Sequence, residues 1–236
     1  MRAFPLLFVP VVLAVATLAG RAAAAAPLVY VALGDSTAAG VGAEPGGGYP
    51  DRLARRLDAA GTPVRLVNLG VPGATAEDLR KDQLPRAVAD GPALITLGIG
   101  LNDVVRGRPL GEFARDLEII ADALGRTRAT VVVSELPDVS RAPSAHDPTA
   151  ARALARRLAA YNATLRMVAE RHGFAIAELE AASRRAFTGH PELFAKDGFH
   201  PSARGYEAWA NVLLPVVQAA LAPRVQARRA APASTR

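Results

Sequence analysis

The residues of this chain that could carry nucleophilic or acid–base chemistry fall in four short stretches. "VYVALGDSTAAG" (residues 29–40) ends an apolar run abruptly with Gly34, Asp35 and Ser36. "KDGFHPS" (196–202) sets Asp197 and His200 three residues apart, with Gly198 between them and Pro201 behind. "GIGLND" (98–103) carries Asn102, and "NLGVPG" (68–73) carries Gly70. Taken singly, each is turn chemistry, because Asp, Ser and Asn bond neighbouring backbone and glycine bends freely. Taken together they suit acyl transfer. Ser36 would attack, and a hydroxyl needs an adjacent base to do so. A histidine such as His200 can accept and return a proton near neutrality. Asp197, turned by Gly198, can reach the ring of its own histidine and set its tautomer. The oxyanion would be met by the backbone N–H groups of Ser36 and Gly70 and the side-chain amide of Asn102.

Such a set works only if the fold gathers it. Residues 28–223 alternate between short Val/Leu/Ile-rich runs and amphipathic runs at helical spacing. "LVYVAL" precedes a helix from Tyr49, and "VRLVNLG" precedes one opening at Thr75, with Asp78 completing a capping box. "ALITLGIG" precedes a helix from about Leu110 to Leu124, and "ATVVVSEL" one from Pro148 to His172. "FAIAEL" precedes an irregular stretch and a last helix, Ser202 to Leu221, in which Pro215 is expected to give a kink. Five buried strands separated by helices predict a single doubly wound α/β domain with a mostly parallel sheet. Ligands in such folds bind beyond the carboxyl ends of the strands, where the four stretches fall.

The ends differ from the middle. Residues 1–26 have one early Arg, an apolar run from Ala3 to Leu18 and an Ala-rich stretch, the order of a secretory signal cleaved near Ala24 to Ala26. An uncleaved anchor is the alternative, since the run approaches the roughly 20 residues of a membrane span. Export, periplasmic or secreted, is therefore expected, with no membrane span left after cleavage. The chain has no Cys, which excludes disulfides, thiol nucleophiles and thiolate metal sites. The net charge of +6 comes from the ends: residues 27–223 hold 22 basic and 22 acidic residues. A nucleic-acid groove should show its excess in the fold, so none is expected. The basic tail, residues 224–236, is polar and acid-free, and is expected to be disordered.

Other readings are set aside on spacing. No His-Glu-x-x-His or comparable cluster points to a metal, and "GVGAEPGGG" (40–48) lacks the Lys-Ser/Thr of a phosphate-binding loop, so it reads as a mobile loop. His146, His172 and His190 have no partner at a telling spacing and read as surface residues. "GDSTA" misses the Gly-x-Ser-x-Gly elbow of α/β-hydrolases by its last residue. Val71, Ile99, Val104 and Phe199 flank the four stretches and are candidates for an acyl pocket.

In order and spacing the four stretches resemble the GDSL-type esterases of the SGNH hydrolase superfamily, which is named for a Ser, a Gly, an Asn and a His in separate blocks. "GDST" resembles the first block and gives Ser36; "NLGVPGAT" gives Gly70; "GIGLND" gives Asn102; "DGFHPS" gives Asp197 and His200. Thr37 departs from the Leu of the family's name. The resemblance implies a flavodoxin-like three-layer α/β/α fold, a Ser-His-Asp esterase with no cofactor, and a small-molecule or lipid ester as substrate. A carbohydrate O-deacetylase or acyltransferase would use the same residues, and a non-catalytic ligand-binding domain would use the same fold.

Overall fold

The computed structural model describes residues 26–230 except Pro45; the expected signal, apart from Ala26, lies outside the described residues. In chain order the elements are β1 (Leu28–Gly34), α1 (Ser36–Ala39), α2 (Tyr49–Ala59), β2 (Val64–Asn68) and α3 (Ala76–Asp78). A π turn (Leu79–Gln83) joins α3 to α4 (Leu84–Ala89), followed by β3 (Leu94–Gly98), α5 (Leu101–Val105), α6 (Leu110–Gly125) and β4 (Thr130–Ser134). After them come a 3-10 turn (Val139–Arg141), α7 (Pro148–Arg171), β5 (Ala175–Ala177), α8 (Leu179–Phe187), a second 3-10 turn (Pro191–Leu193) and α9 (Ala203–Ala230).

The sheet has five strands in the order β2-β1-β3-β4-β5, and every pairing is parallel. Successive strand side chains point to opposite faces, so each strand feeds two cores. Val31, Leu33, Ile95, Leu97, Val131 and Val133 pack on one side with α6 and α7. Tyr30, Ala32, Leu94 and Val132 pack on the other with α2 and α9. Burial on both faces explains why the strands read as continuous apolar runs rather than alternating ones. The result is the expected three-layer α/β/α domain.

The strand order reverses between β1 and β3, both of which flank the start of the series, and the crevice there is where such folds bind ligands. The Thr75–Asp78 capping box is present: Asp78 N–H donates to Thr75 Oγ1 and Thr75 N–H to Asp78 Oδ2.

One expectation needs correction. The last helix continues through Pro215 and Pro223 to Ala230, so residues 224–230 are helical rather than disordered. Val225 packs on the α2/α9 core, Arg224 donates to Arg128 O, and Arg228 to Ala26 O at 2.6 Å, which holds the extra turns down. By length and hydropathy Ala203–Arg228 could cross a membrane, but Tyr206, Leu213 and Val217 along it are fully buried against the sheet. In the glycine-rich stretch, Tyr206 Oη donates to Val41 O at 2.9 Å, and Arg52 Nε donates to Gly47 O at 3.1 Å.

Candidate active site

Residue types at the ends of β1, β2 and β3 and in the turn before α9 determine the site. After Gly34 the chain turns into α1, capped by Asp35, whose carboxylate accepts from Thr37 N–H (2.9 Å) and Thr37 Oγ1 (2.8 Å). The Thr that replaces the family's Leu thus bonds the cap directly. Asp35 is 2% exposed, and its burial pushes its carboxyl above the ordinary range against the pull of those two bonds. Ser36 occupies the first position of α1, where a backbone N–H has no intrahelical acceptor.

His200 meets Ser36 across 164 residues: its Nε2 lies 2.9 Å from Ser36 Oγ. On the other side of the ring, Nδ1 lies 2.6 Å from Asp197 Oδ2. A carboxylate only accepts, so Nδ1 carries the proton and Nε2 is left to accept from the Ser36 hydroxyl. Asp197 Oδ1 in turn accepts from the N–H groups of Phe199 and His200, both at 2.9 Å. Partial burial would raise the Asp197 carboxyl, but the bonds from the His200 ring and these two N–H groups outweigh it and hold it below the usual range. Gly198 makes the tight turn possible, with φ +67° in the left-handed region. This chain of bonds can take a proton from a hydroxyl and hold the resulting imidazolium.

The three expected oxyanion donors adjoin α1 in different states. The Ser36 N–H makes no hydrogen bond among the described residues. Gly70 N–H donates to Asn68 Oδ1 at 3.0 Å, so the open donor expected there is internally engaged. Glycine is required at 70 for a reason other than substrate access: a Cβ would lie 2.7 Å from Ala38 Cβ and 2.7 Å from Ala39 N. Asn102 donates its amide to Ala74 O at 3.0 Å and points it at Asp35 Oδ2 from 3.5 Å. Asp103, quoted in the sequence without a role, is fully buried, where it accepts from Ala76 N–H (3.0 Å) and Arg108 Nη1 (2.6 Å). Asn102, Asp103 and Arg106, which donates to Gly73 O at 2.8 Å, together pin the loop after β2 to α5.

The expected acyl pocket is built differently. Ile99 and Val104 are fully buried in the core, and Val71 is exposed. Beside His200 lies instead an apolar cavity of about 20 Å³ walled by Leu101, Pro137, Val139, Phe194 and Phe199. Phe187 and Phe194 stack edge to face, 5.2 Å between centroids. Of the four expected residues Phe199 alone walls the cavity; Leu101 comes from the stretch that carries Asn102, and Pro137, Val139 and Phe194 from segments outside the four stretches. Trp209 is buried, stacks on Tyr49 at 5.8 Å and forms part of the wall of this cavity. His172 is not a lone surface residue: α6 and α7 bring its Nε2 to 3.2 Å from Glu118. His190 lies on the surface, 3.0 Å from Glu192. Among the described residues no group of three or more His, Asp or Glu is placed to hold a metal ion.

Comparison with known proteins places these features. The model of the GDSL-like lipase/acylhydrolase family matches residues 32–208, which contain every residue of the site. An acetylxylan esterase of Geobacillus stearothermophilus is 26% identical over 156 residues, covering 64% of this chain and 71% of that protein. A GDSL-like esterase of Mycobacterium tuberculosis is 30% identical over 200 residues; the match covers 81% of this chain and 62% of that longer protein. The crystal structure of an alpha/beta hydrolase enzyme from the metagenome of Lake Arreo superposes with a TM-score of 0.66 at 27% identity, covering 80% of this chain and 94% of that one.

Proposed function

We propose, from the premise that the chain belongs to the GDSL-like lipase/acylhydrolase family and is a carboxylic ester hydrolase, that Ser36 is its nucleophile, His200 its base and Asp197 the group that orients His200. The observation that carries this reading is the continuous pair of bonds Ser36 Oγ–His200 Nε2 (2.9 Å) and His200 Nδ1–Asp197 Oδ2 (2.6 Å). Ser36 Oγ attacks the ester carbonyl as His200 Nε2 takes its proton; the imidazolium then returns that proton to the departing alcohol. Water, deprotonated by His200, next attacks the acyl-enzyme and releases the acid and Ser36. Negative charge on the carbonyl oxygen is met first by the Ser36 N–H, with the Asn102 amide exchanging Asp35 Oδ2, and Gly70 N–H exchanging Asn68, for the oxyanion.

Short acyl groups, acetyl foremost, are the substrates we favour. The cavity beside His200 has room for about one water, so longer chains would have to displace Phe194 or Phe199. The similarity to an acetylxylan esterase points the same way for the acyl group. Export by way of residues 1–26 remains our reading of the N-terminus and predicts a mature chain beginning near Pro27.

The test is hydrolysis of p-nitrophenyl esters from acetate to palmitate by the parent and Ser36→Ala. Turnover on acetate that vanishes in a folded Ser36→Ala protein is expected, with the rate falling as the chain lengthens. Undiminished turnover in Ser36→Ala refutes the nucleophile; a palmitate optimum refutes the short-acyl reading.

A further inference from the structure

Outside the four stretches, one buried polar side chain bonds the backbone of the strand that leads to the nucleophile. Gln83 is 2% exposed, and its amide grips both backbone groups of Gly34: Gly34 N–H donates to Oε1 at 3.0 Å, and Nε2 donates to Gly34 O at 2.8 Å. The reason for a side chain there lies in the sheet. β2 pairs with β1 only as far as Ala32, opposite Asn68; beyond it Leu69 N–H still donates to Ala32 O at 2.9 Å and Val71 N–H to Gly34 O at 3.1 Å, but the Gly34 N–H is taken by Gln83 and not by that segment's backbone. Buried backbone groups need partners. The primary amide of Gln83 has an acceptor and a donor side by side: its Oε1 stands in for the strand carbonyl that Gly34 N–H lacks, and its Nε2 shares Gly34 O with Val71 N–H. On the opposite edge Gly34 is pressed against β3, where a Cβ would lie 2.5 Å from Gly98 O. The end of β1 is thereby held from both sides, two residues before Ser36.

The helix is distorted to reach this position. Pro85 has no N–H, and in an α-helix its ring would crowd the carbonyl four residues back. The helix widens over Leu79–Gln83 into a π turn, in which Leu84 N–H reaches Leu79 O. Single π turns of this kind recur at functional sites because they re-aim one side chain. Here the side chain at the end of the turn is Gln83.

We infer that Gln83 is a positioning residue for the nucleophile: by replacing a strand partner of Gly34, it sets where the Ser36 Oγ and N–H stand against His200 and the substrate carbonyl. Gln83 does not touch substrate. The inference rests on Ser36 being the nucleophile, and Ser36→Ala tests that premise separately.

The experiment compares the parent with Gln83→Met, which is of similar length but has no amide, and Gln83→Glu. Competent sites are counted with a fluorophosphonate that labels Ser36, so a variant that merely folds less well gives fewer sites with unchanged kcat per site. A misplacement on the order of 1 Å costs up to about 10²-fold in rate. Gln83→Met is therefore expected to lower kcat per labelled site by about 10- to 100-fold, with KM within about twofold, and to slow labelling in parallel. Gln83→Glu provides the second readout, and the one that decides if Gln83→Met fails to fold. A protonated carboxyl has the same donor–acceptor pair as the amide, whereas a carboxylate cannot donate to Gly34 O, and burial makes a carboxyl titrate high. Its kcat per site should match the parent at low pH and fall as pH rises, an alkaline limb absent from the parent. A kcat per labelled site within threefold of the parent in Gln83→Met, or a Gln83→Glu profile parallel to the parent's, overturns the inference. If Ser36→Ala stayed active, the premise would fail instead.

Discussion

The role of Asp197 can be tested by asking which of two losses is worse. Its two oxygens have different duties: Oδ1 takes two backbone N–H bonds at 2.9 Å, from Phe199 and His200, and Oδ2 faces the His200 ring at 2.6 Å. In Asp197→Asn the two N–H groups demand the amide oxygen, so the NH2 is driven to the place of Oδ2. A donor facing Nδ1 forces the proton to Nε2, which then cannot accept from Ser36. In Asp197→Ala the position opens to water, which can accept from Nδ1 and leave the productive tautomer available. What Ala loses is the charge opposite the imidazolium. That attraction is worth about 1 kcal/mol at 4 Å in water and about 4 kcal/mol at an effective dielectric constant of 20, or about 5- to 10³-fold in rate. The Asp197 side chain is 47% exposed, which puts it toward the lower end. Asp197→Asn, which inverts the tautomer, should approach the 10⁴-fold loss in kcat seen when the same change is made in the Ser-His-Asp template of another hydrolase. The assay is steady-state hydrolysis of p-nitrophenyl acetate per fluorophosphonate-labelled site, with circular dichroism to verify folding. Asn is thus expected to be at least tenfold worse than Ala. Equal losses, or Ala worse than Asn, would refute the tautomer reasoning and leave Asp197 a structural turn residue.

Further predictions concern packing and acid stability. Gly70→Ala forces a Cβ to 2.7 Å from Ala38 and Ala39, so it should cost about 1–3 kcal/mol of stability by overpacking and lower kcat through the displaced α1. A thermal midpoint and a kcat equal to the parent's would show that α1 gives way freely. Gly111→Ala, in α6 with nothing within 4 Å of the new Cβ, should instead add about 0.5–1 kcal/mol, read as a raised midpoint in urea. Burial would raise the Asp138 carboxyl, but bonds from Ser140 and Arg184 hold it below the ordinary range. Its contribution is therefore complete above its unfolded pKa, about 3.9, and is lost as pH falls through the lower folded value. The gap in thermal midpoint between the parent and Asp138→Asn should be constant from pH 5 to 7 and close in stronger acid. A gap that persisted unchanged at pH 2 would mean that packing, not charge, sets it.

Much of this protein is legible along the chain because its signals are local. The strands read as buried because both faces of a parallel sheet are covered, and α6 and α7 begin and end within one residue of their expected bounds because caps and periodicity are short-range. Asp197 could be assigned to His200 because the two lie three residues apart on a glycine turn. The last helix outran its expected end since what holds Arg224 and Arg228 is the backbone of Arg128 and Ala26, which composition does not reveal. Two of the acyl-pocket candidates failed for a related reason: Ile99, after β3, and Val104, on α5, turn into the core, while Phe194 arrives from another segment.

By itself, then, the sequence determined the α/β/α class, the four polar stretches and their place at the strand ends, since periodicity, capping and turn chemistry act over a few residues. Only the tertiary structure decided that Ser36 stands 2.9 Å from a histidine 164 residues away, that Gly70 N–H is engaged by Asn68, and that Gln83 completes the edge of β1. Those are contacts between distant elements, and their geometry depends on the order and register in which the strands pair.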